Sequence, residues 1–245
     1  MNDDDDFLNL FKTLGMVNTA GPFAGHTFEA YVHLMVERGN TGSVEYRHLP
    51  PDSKVPESLN IWAGEQLEEQ VFRAFRRTDE LDEAAKRTGN SYWKATKHNF
   101  PSIDGFAVRE NEKGLCVHFI QVTMNKLGKS EKVSNKDLQG YVDRITKGWE
   151  GDRAKVFVCL WFVVPAHLYE NNAGPYREKQ EPKEGTMDAP LWHRLVQGVV
   201  KFDWTEVREV PIRQMTDSWW SATEKEFMDR CKEYEETYLE SRMSG

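Results

Sequence analysis

Phe100-Pro101-Ser102-Ile103-Asp104-Gly105-Phe106-Ala107-Val108-Arg109, then Asn111-Glu112-Lys113-Gly114, then Leu115-Cys116-Val117-His118-Phe119-Ile120-Gln121-Val122-Thr123: this run decides the fold. Two strand-like segments, Ile103 to Arg109 and Leu115 to Thr123, flank a short polar loop that ends in glycine, the signature of an antiparallel hairpin. Strand side chains alternate between faces, so Phe119, Gln121 and Thr123 share one side while Ile120, Val122 and Met124 share the other. The hairpin sets the Asp104 end of its first strand beside the Gln121 end of its second. A Gln and a Thr directed into the space of an Asp are unusual for pure core, because polar groups inside need partners. A metal ion with its waters would supply them. Asp104-Gly105 is also a common turn pair. The Gln-x-Thr strand, following a hairpin of fitting length, favours a site over a turn.

Working outward, Phe28, Val32, Met35 and Val36 recur at helical spacing from about Ala24 to Arg38, and Gly39-Asn40 stops that helix. His33 lies four residues after Glu29, on the same face. Val44 to Leu49 alternates as a strand and Pro50-Pro51 ends it. Glu57 to Arg87 is expected to be helical, with Leu67, Val71, Ala74 and Phe75 as its apolar stripe. Tyr92 to Lys97 is a short strand. Asn135 to Trp149 is a helix, and Lys155 to Val164, the most apolar segment, is a central strand. Glu170 to Pro190 is polar and turn-rich. Leu191 to Trp204 and Val207 to Ile212 suggest further strand or short-helix pieces, and Ser218 to Ser241 a charged helix with Trp219 and Trp220 on one face. The expected organisation is an α/β chain: an acidic lead-in over 1–22, a core over 23–168 with a helical insertion at 57–90, and a C-terminal extension over 169–245 packed on that core.

Composition sets limits. At 245 residues the chain can bury a proper core, and eight Trp argue for ordered packing rather than disorder. No run approaches the roughly 18 apolar residues of a membrane-spanning helix. The acidic start Met1-Asn2-Asp3-Asp4-Asp5-Asp6 lacks the basic-then-apolar pattern of a secretory signal, so an intracellular protein is expected. Cys116, Cys159 and Cys231 are odd in number and widely spaced, with neither zinc spacing nor a disulfide framework. The first two are expected as buried free thiols. Cys116 and His118 point the same way, but no partner that would orient the imidazole is evident, so a thiol catalyst is not favoured. Gly128-Lys129-Ser130 echoes a phosphate loop but lacks its first glycine, Thr123 standing at that position. Net charge is −8, which opposes broad non-specific nucleic-acid binding. Between Asn125 and Gly148, however, six Lys or Arg face three Asp or Glu, a local excess of three positive charges.

Three pieces then stand in order: the helix Gly25-His26-Thr27-Phe28-Glu29-Ala30-Tyr31-Val32-His33, the segment Pro101-Ser102-Ile103-Asp104, and the strand Gln121-Val122-Thr123. Together they resemble the PD-(D/E)XK, or restriction-endonuclease-like, nuclease superfamily. More narrowly, they resemble the nuclease-like domains of Crinkler effectors and retrotransposon hot spot proteins, over about residues 20–165. The resemblance implies an αβββαβ core. It implies Glu29 as the helix carboxylate, Asp104 as the main metal ligand, and Gln121 in the place of the second acid. Thr123 stands where many members carry Lys. Glu29, Asp104 and Gln121 would hold Mg²⁺ or Mn²⁺, a Gln carbonyl being an acceptable hard-oxygen ligand. His33, Lys126, Lys129 and Lys132 are candidates for phosphate contact, with orientation of Glu29 a second role for His33. The implied activity is metal-dependent hydrolysis of nucleic-acid phosphodiesters, DNA before RNA, by a toxin or effector acting in a host nucleus. No membrane partner is expected, and the aromatic C-terminal segment could carry a homo-oligomeric interface. The alternatives are a catalytically degenerate nuclease fold that binds DNA or a protein, and an unrelated α/β protein in which Asp104 and Gln121 are structural.

Overall fold

Alternating and wholly apolar runs put much of the chain into strands, and in the computed structural model seven of them form one mixed sheet. The structure describes residues 25, 28–29, 32–33, 36, 44–49, 55–62, 71–86, 90–96, 100–124, 134–170 and 194–202. The strands are β1 (Tyr46–Leu49), β2 (Val71–Phe75), β3 (Ser91–Ala95), β4 (Gly105–Asn111), β5 (Gly114–Val122), β6 (Val156–Pro165) and β7 (Leu195–Phe202). Three helices lie between them: α1 (Leu81–Ala85), α2 (Asn135–Ile145) and α3 (Ala166–Tyr169). Before β1, Gly25, Phe28, Glu29, Val32, His33 and Val36 are helical, as their spacing predicts. No helix among the described residues is long and apolar enough to cross a membrane.

Across the sheet the order is β1-β7-β6-β5-β4-β3-β2. β3, β4 and β5 form an antiparallel meander, and α2 then carries the chain over to β6, parallel to β5. β7 is parallel to β6, β1 is antiparallel to β7, and β2 is parallel to β3. The five strands β2, β3, β5, β6 and β7 therefore run one way. Their carboxyl ends, together with the start of β4, lie along one edge.

β6 is apolar on both faces because both faces are covered. On one face Val158, Leu160, Phe162 and Val164 join Leu115, Val117 and Phe119 of β5, Phe106 and Val108 of β4, and Leu138, Tyr141, Val142 and Ile145 of α2 in a single core cluster. The Phe119 and Tyr141 rings meet at 6.2 Å. α2 begins where the Ser134 side chain accepts the Asp137 N–H at 3.3 Å, and Asp137 and Arg144 sit at the helix ends that their charges favour. Cys116, His118 and Ile120 of β5 and Cys159, Trp161 and Val163 of β6 are buried on the other face. The Glu29 helix packs there, with Phe28 against Phe202 at 6.5 Å.

Two expectations need correction. The 57–90 segment is not a helical insertion throughout: it holds 3-10 turns at Glu57–Leu59 and Thr78–Glu80, the short helix α1, and the strand β2. Val71 and Phe75 are four apart and share a face in a helix and in a strand alike, so their spacing cannot separate the two. Phe75 meets Phe100 edge-to-face and Phe106 at a tilt, at 4.8 and 5.3 Å between centroids, as a sheet residue. The boundary at 168 also falls too early, since β7 lies inside the sheet between β6 and β1. The chain divides into a unit of residues 3–206 and one of 207–245, and the second lies outside the described residues. So do the lead-in over 1–22, Leu67, Lys126, Lys129, Lys132, Cys231, the pieces expected at Val207 to Ile212 and Ser218 to Ser241, and all but the first residue of the Glu170 to Pro190 loop.

Candidate functional site

Asp104 stands immediately before β4, at the sheet edge that carries the carboxyl ends of the parallel strands. Open α/β sheets bind their ligands outside such an edge. Its backbone ties three strands together: Asp104 N–H donates to Ile120 O at 2.8 Å, and Asp104 O accepts from Ala95 N–H at 2.9 Å. Its carboxylate Oδ2 accepts the Val122 N–H at 2.6 Å. The segment ahead of it is clamped to α2, with Tyr141 Oη–H donating to Pro101 O at 3.1 Å and Ser102 Oγ accepting the Ser134 N–H at 3.3 Å. Ser102 adopts φ 66°, a left-handed conformation that costs a non-glycine residue about 1–2 kcal/mol. Such strain persists where the surroundings over-determine the backbone, and it clusters at functional sites. Gly105 opens β4, inside the strand expected from Ile103 to Arg109.

The β4–β5 register pairs Gly105 with Ile120, so Asp104 and Gln121 occupy the next rung. Gln121 and Thr123 are both buried. Thr123 N–H donates to Val163 O at 3.0 Å, extending the β5–β6 ladder past the end of the strand. Pleat alternation puts Gln121 on the face of Phe119 and α2.

Glu29 reaches the same edge from the opposite face. Its helix crosses the start of β4, where a Cβ on Gly105 would stand 3.1 Å from His33 Cε1, 3.4 Å from Tyr92 Oη and 2.9 Å from Trp93 O. Only glycine leaves room for that ring. His33 is 1% exposed, shares a 2.5 Å hydrogen bond with Tyr92 Oη through Nδ1, and has Nε2 4.0 Å from Glu29 Oε1. Burial, reinforced by the charge of Lys94 and opposed by that of Glu29, pushes the His33 pKa down to about 3. The imidazole is therefore neutral at ordinary pH. Of its two expected roles, contact with phosphate and orientation of Glu29, its burial leaves the second.

Asp104 and Gln121 share the α2 face of that edge, and Glu29, with 26% of its side chain exposed, lies on the helix that packs on the other face. They offer two carboxylates and an amide carbonyl, an all-oxygen donor set of the kind that Mg²⁺ or Mn²⁺ takes. Lys94, missed in the sequence, is the register partner of Gly105 and places its charge near His33, on the face away from α2. Tyr92 was missed as well. It is 59 residues from His33, and no local pattern links the two.

The expectation that His118 lacks orienting partners is overturned. Its Nε2–H donates to Leu59 O at 2.6 Å and its Nδ1 accepts the Trp161 Nε1–H at 2.9 Å. Both Cys116 and Cys159 are buried free thiols, as expected, with sulfurs 3.6 Å apart. No protein-family model, no curated protein and no solved structure matches this chain.

Proposed function

We propose that the chain is a metal-dependent nuclease acting on nucleic-acid phosphodiesters, with DNA as the first substrate, built on a restriction-endonuclease-like core. The observation that carries this reading is the rung formed by Asp104 and Gln121, beside a helix-borne Glu29, at the carboxyl edge of the parallel strands. The element order supports it too. From β3 onward, a three-stranded antiparallel meander, a crossover helix and a parallel strand follow the βββαβ part of the succession that the three sequence motifs imply, with β1, β2 and α1 standing between the Glu29 helix and that meander.

In this reading Asp104, Glu29 and the Gln121 carbonyl would hold Mg²⁺ or Mn²⁺. The ion would lower the pKa of a bound water and offset the charge that develops on the phosphoryl oxygens. The protein's own part is positioning. Val122 N–H fixes the Asp104 carboxylate, and neutral His33, anchored by Tyr92, sits behind Glu29. Thr123 brings no charge where Lys is common, and Lys94 supplies a cation at the same edge on the face of His33.

Plasmid cleavage in Mg²⁺ or Mn²⁺ tests the reading. Wild type should nick or linearise DNA. Asp104→Ala should lose roughly 10²–10³-fold in rate, the consequence of several kcal/mol of lost charge stabilisation. Gln121→Ala should lose less, and Lys94→Met should lower kcat. The second reading, a degenerate nuclease fold that binds DNA or a protein, draws on the backbone bond already held by Asp104 Oδ2 and on the uncharged Thr123. Metal-independent, salt-sensitive DNA binding without cleavage would support it over the first.

A further inference from the structure

Behind the candidate site, on the face of the sheet away from α2, Cys116, His118 and Cys159 form a cluster of soft ligands, each fully buried. The parallel β5–β6 register brings them together by pairing His118 with Cys159 and leaving Cys116 one step diagonal. Their ligand atoms all lie within 4.8 Å of one another. The two sulfurs are 3.6 Å apart, and Cys116 Sγ is 3.9 Å from His118 Nδ1. In a tetrahedral zinc site the corresponding edges are about 3.8 Å between thiolates and about 3.5 Å between thiolate and imidazole nitrogen, from the usual Zn–S and Zn–N bond lengths. The cluster is therefore close to coordination spacing without rearrangement of the strands.

We propose that Cys116, His118 and Cys159 are the protein ligands of a buried structural site for a thiophilic divalent cation of the zinc class. Three features support it. First, His118 is locked in the required tautomer. Its Nε2–H is held by the Leu59 carbonyl, which leaves Nδ1 as the lone-pair nitrogen, 3.9 Å from Cys116 Sγ. A backbone carbonyl on the far ring nitrogen is the usual second partner of a metal-bound histidine. Second, the charges balance. Two thiols lose their protons as one divalent ion enters, two protons leave to solvent, and the assembly of ion, two thiolates and imidazole is neutral, as an apolar interior demands. Third, Trp161 provides for the exchange. Its Nε1–H now donates to Nδ1, and a thiolate sulfur is an alternative acceptor once the ion takes that lone pair. All three ligand residues are fully buried, so the ion enters while the chain folds rather than by penetrating the finished core.

The test is metal analysis of the whole chain expressed in zinc-supplemented medium, and of chain refolded with Co²⁺. The expected result is about one zinc per chain, retained against EDTA while folded and released on unfolding, as for other sites coupled to folding. Refolding with Co²⁺ should give a thiolate-to-cobalt charge-transfer band in the near ultraviolet. Cys116→Ala/Cys159→Ala should carry no zinc and show no band. If that variant does not fold, the wild-type cobalt spectrum decides alone, because a band reports sulfur ligation directly. Wild type with less than about a tenth of a zinc per chain and no cobalt band would overturn the proposal. So would undiminished zinc in the double variant, or a Cys116–Cys159 disulfide in the purified chain.

Discussion

His33 shows how a single buried side chain can write a pH dependence into the whole fold. Its folded pKa is pushed down to about 3, below its ordinary value of 6.5. Between those values the unfolded chain binds a proton that the folded chain does not. The stabilisation is therefore complete above about pH 6.5 and is lost as pH falls toward about 3. Urea unfolding at about pH 7 and about pH 4.5 should show the wild type weaker at the lower pH, with His33 contributing about 2–3 kcal/mol of the difference. His33→Gln should remove that share, leaving only the slope from carboxylates. An unchanged slope in the variant would remove His33 from the account. The sequence disclosed part of this residue scale. The hairpin loop set the register and so brought Asp104 beside Gln121, since both lie on one continuous local pattern. The His33–Tyr92 bond, the vacant Cβ position of Gly105 and the Lys94 rung depend on segments that meet only in the folded sheet.

Among the elements, α2 has the most explicit sequence signals. Ser134 caps it, Asp137 stands in its first turn, and Leu138, Tyr141, Val142 and Ile145 form the stripe that the core receives. Ser134→Ala should cost about 0.5–2 kcal/mol in denaturant unfolding, the usual price of a lost N-cap. That loss should appear together with loosening of the 100–104 segment, because the Ser134 N–H also donates to Ser102 Oγ. Equal protection of the Asp104 and Ile103 amides in variant and wild type would separate the cap from the site. β2 and β7 were harder to read for definite reasons. In β2, Val71 and Phe75 satisfy helical and strand periods at once. In β7, Gln197 and Gly198 interrupt an otherwise apolar run. Gly198 is required there because a Cβ would stand 2.3 Å from Trp161 Cζ3, a contact no local pattern announces.

For the molecule as a whole, the stretch expected from its motifs to form the core, about residues 20–165, falls short of the sheet it belongs to. β7 lies between β6 and β1, so residues 23–168 alone would expose one side of β6 and leave β1 without a partner. That fragment is expected to aggregate or remain unfolded, whereas residues 23–206 should give a cooperative transition by circular dichroism. A folded 23–168 fragment would show that β7 is dispensable. The same topology imposes a schedule on synthesis. Tyr46 pairs with Val200 and Leu49 with Gln197, so β1 leaves the ribosome roughly 150 residues before its neighbour among the described strands. At about 5–20 residues per second that is a wait of roughly 8–30 s. Throughout it an unpaired strand edge is open to other chains and to chaperones, and such long-range pairing also slows refolding. The last strand made is the one that closes the first, so the speed of translation through residue 202 becomes a determinant of yield.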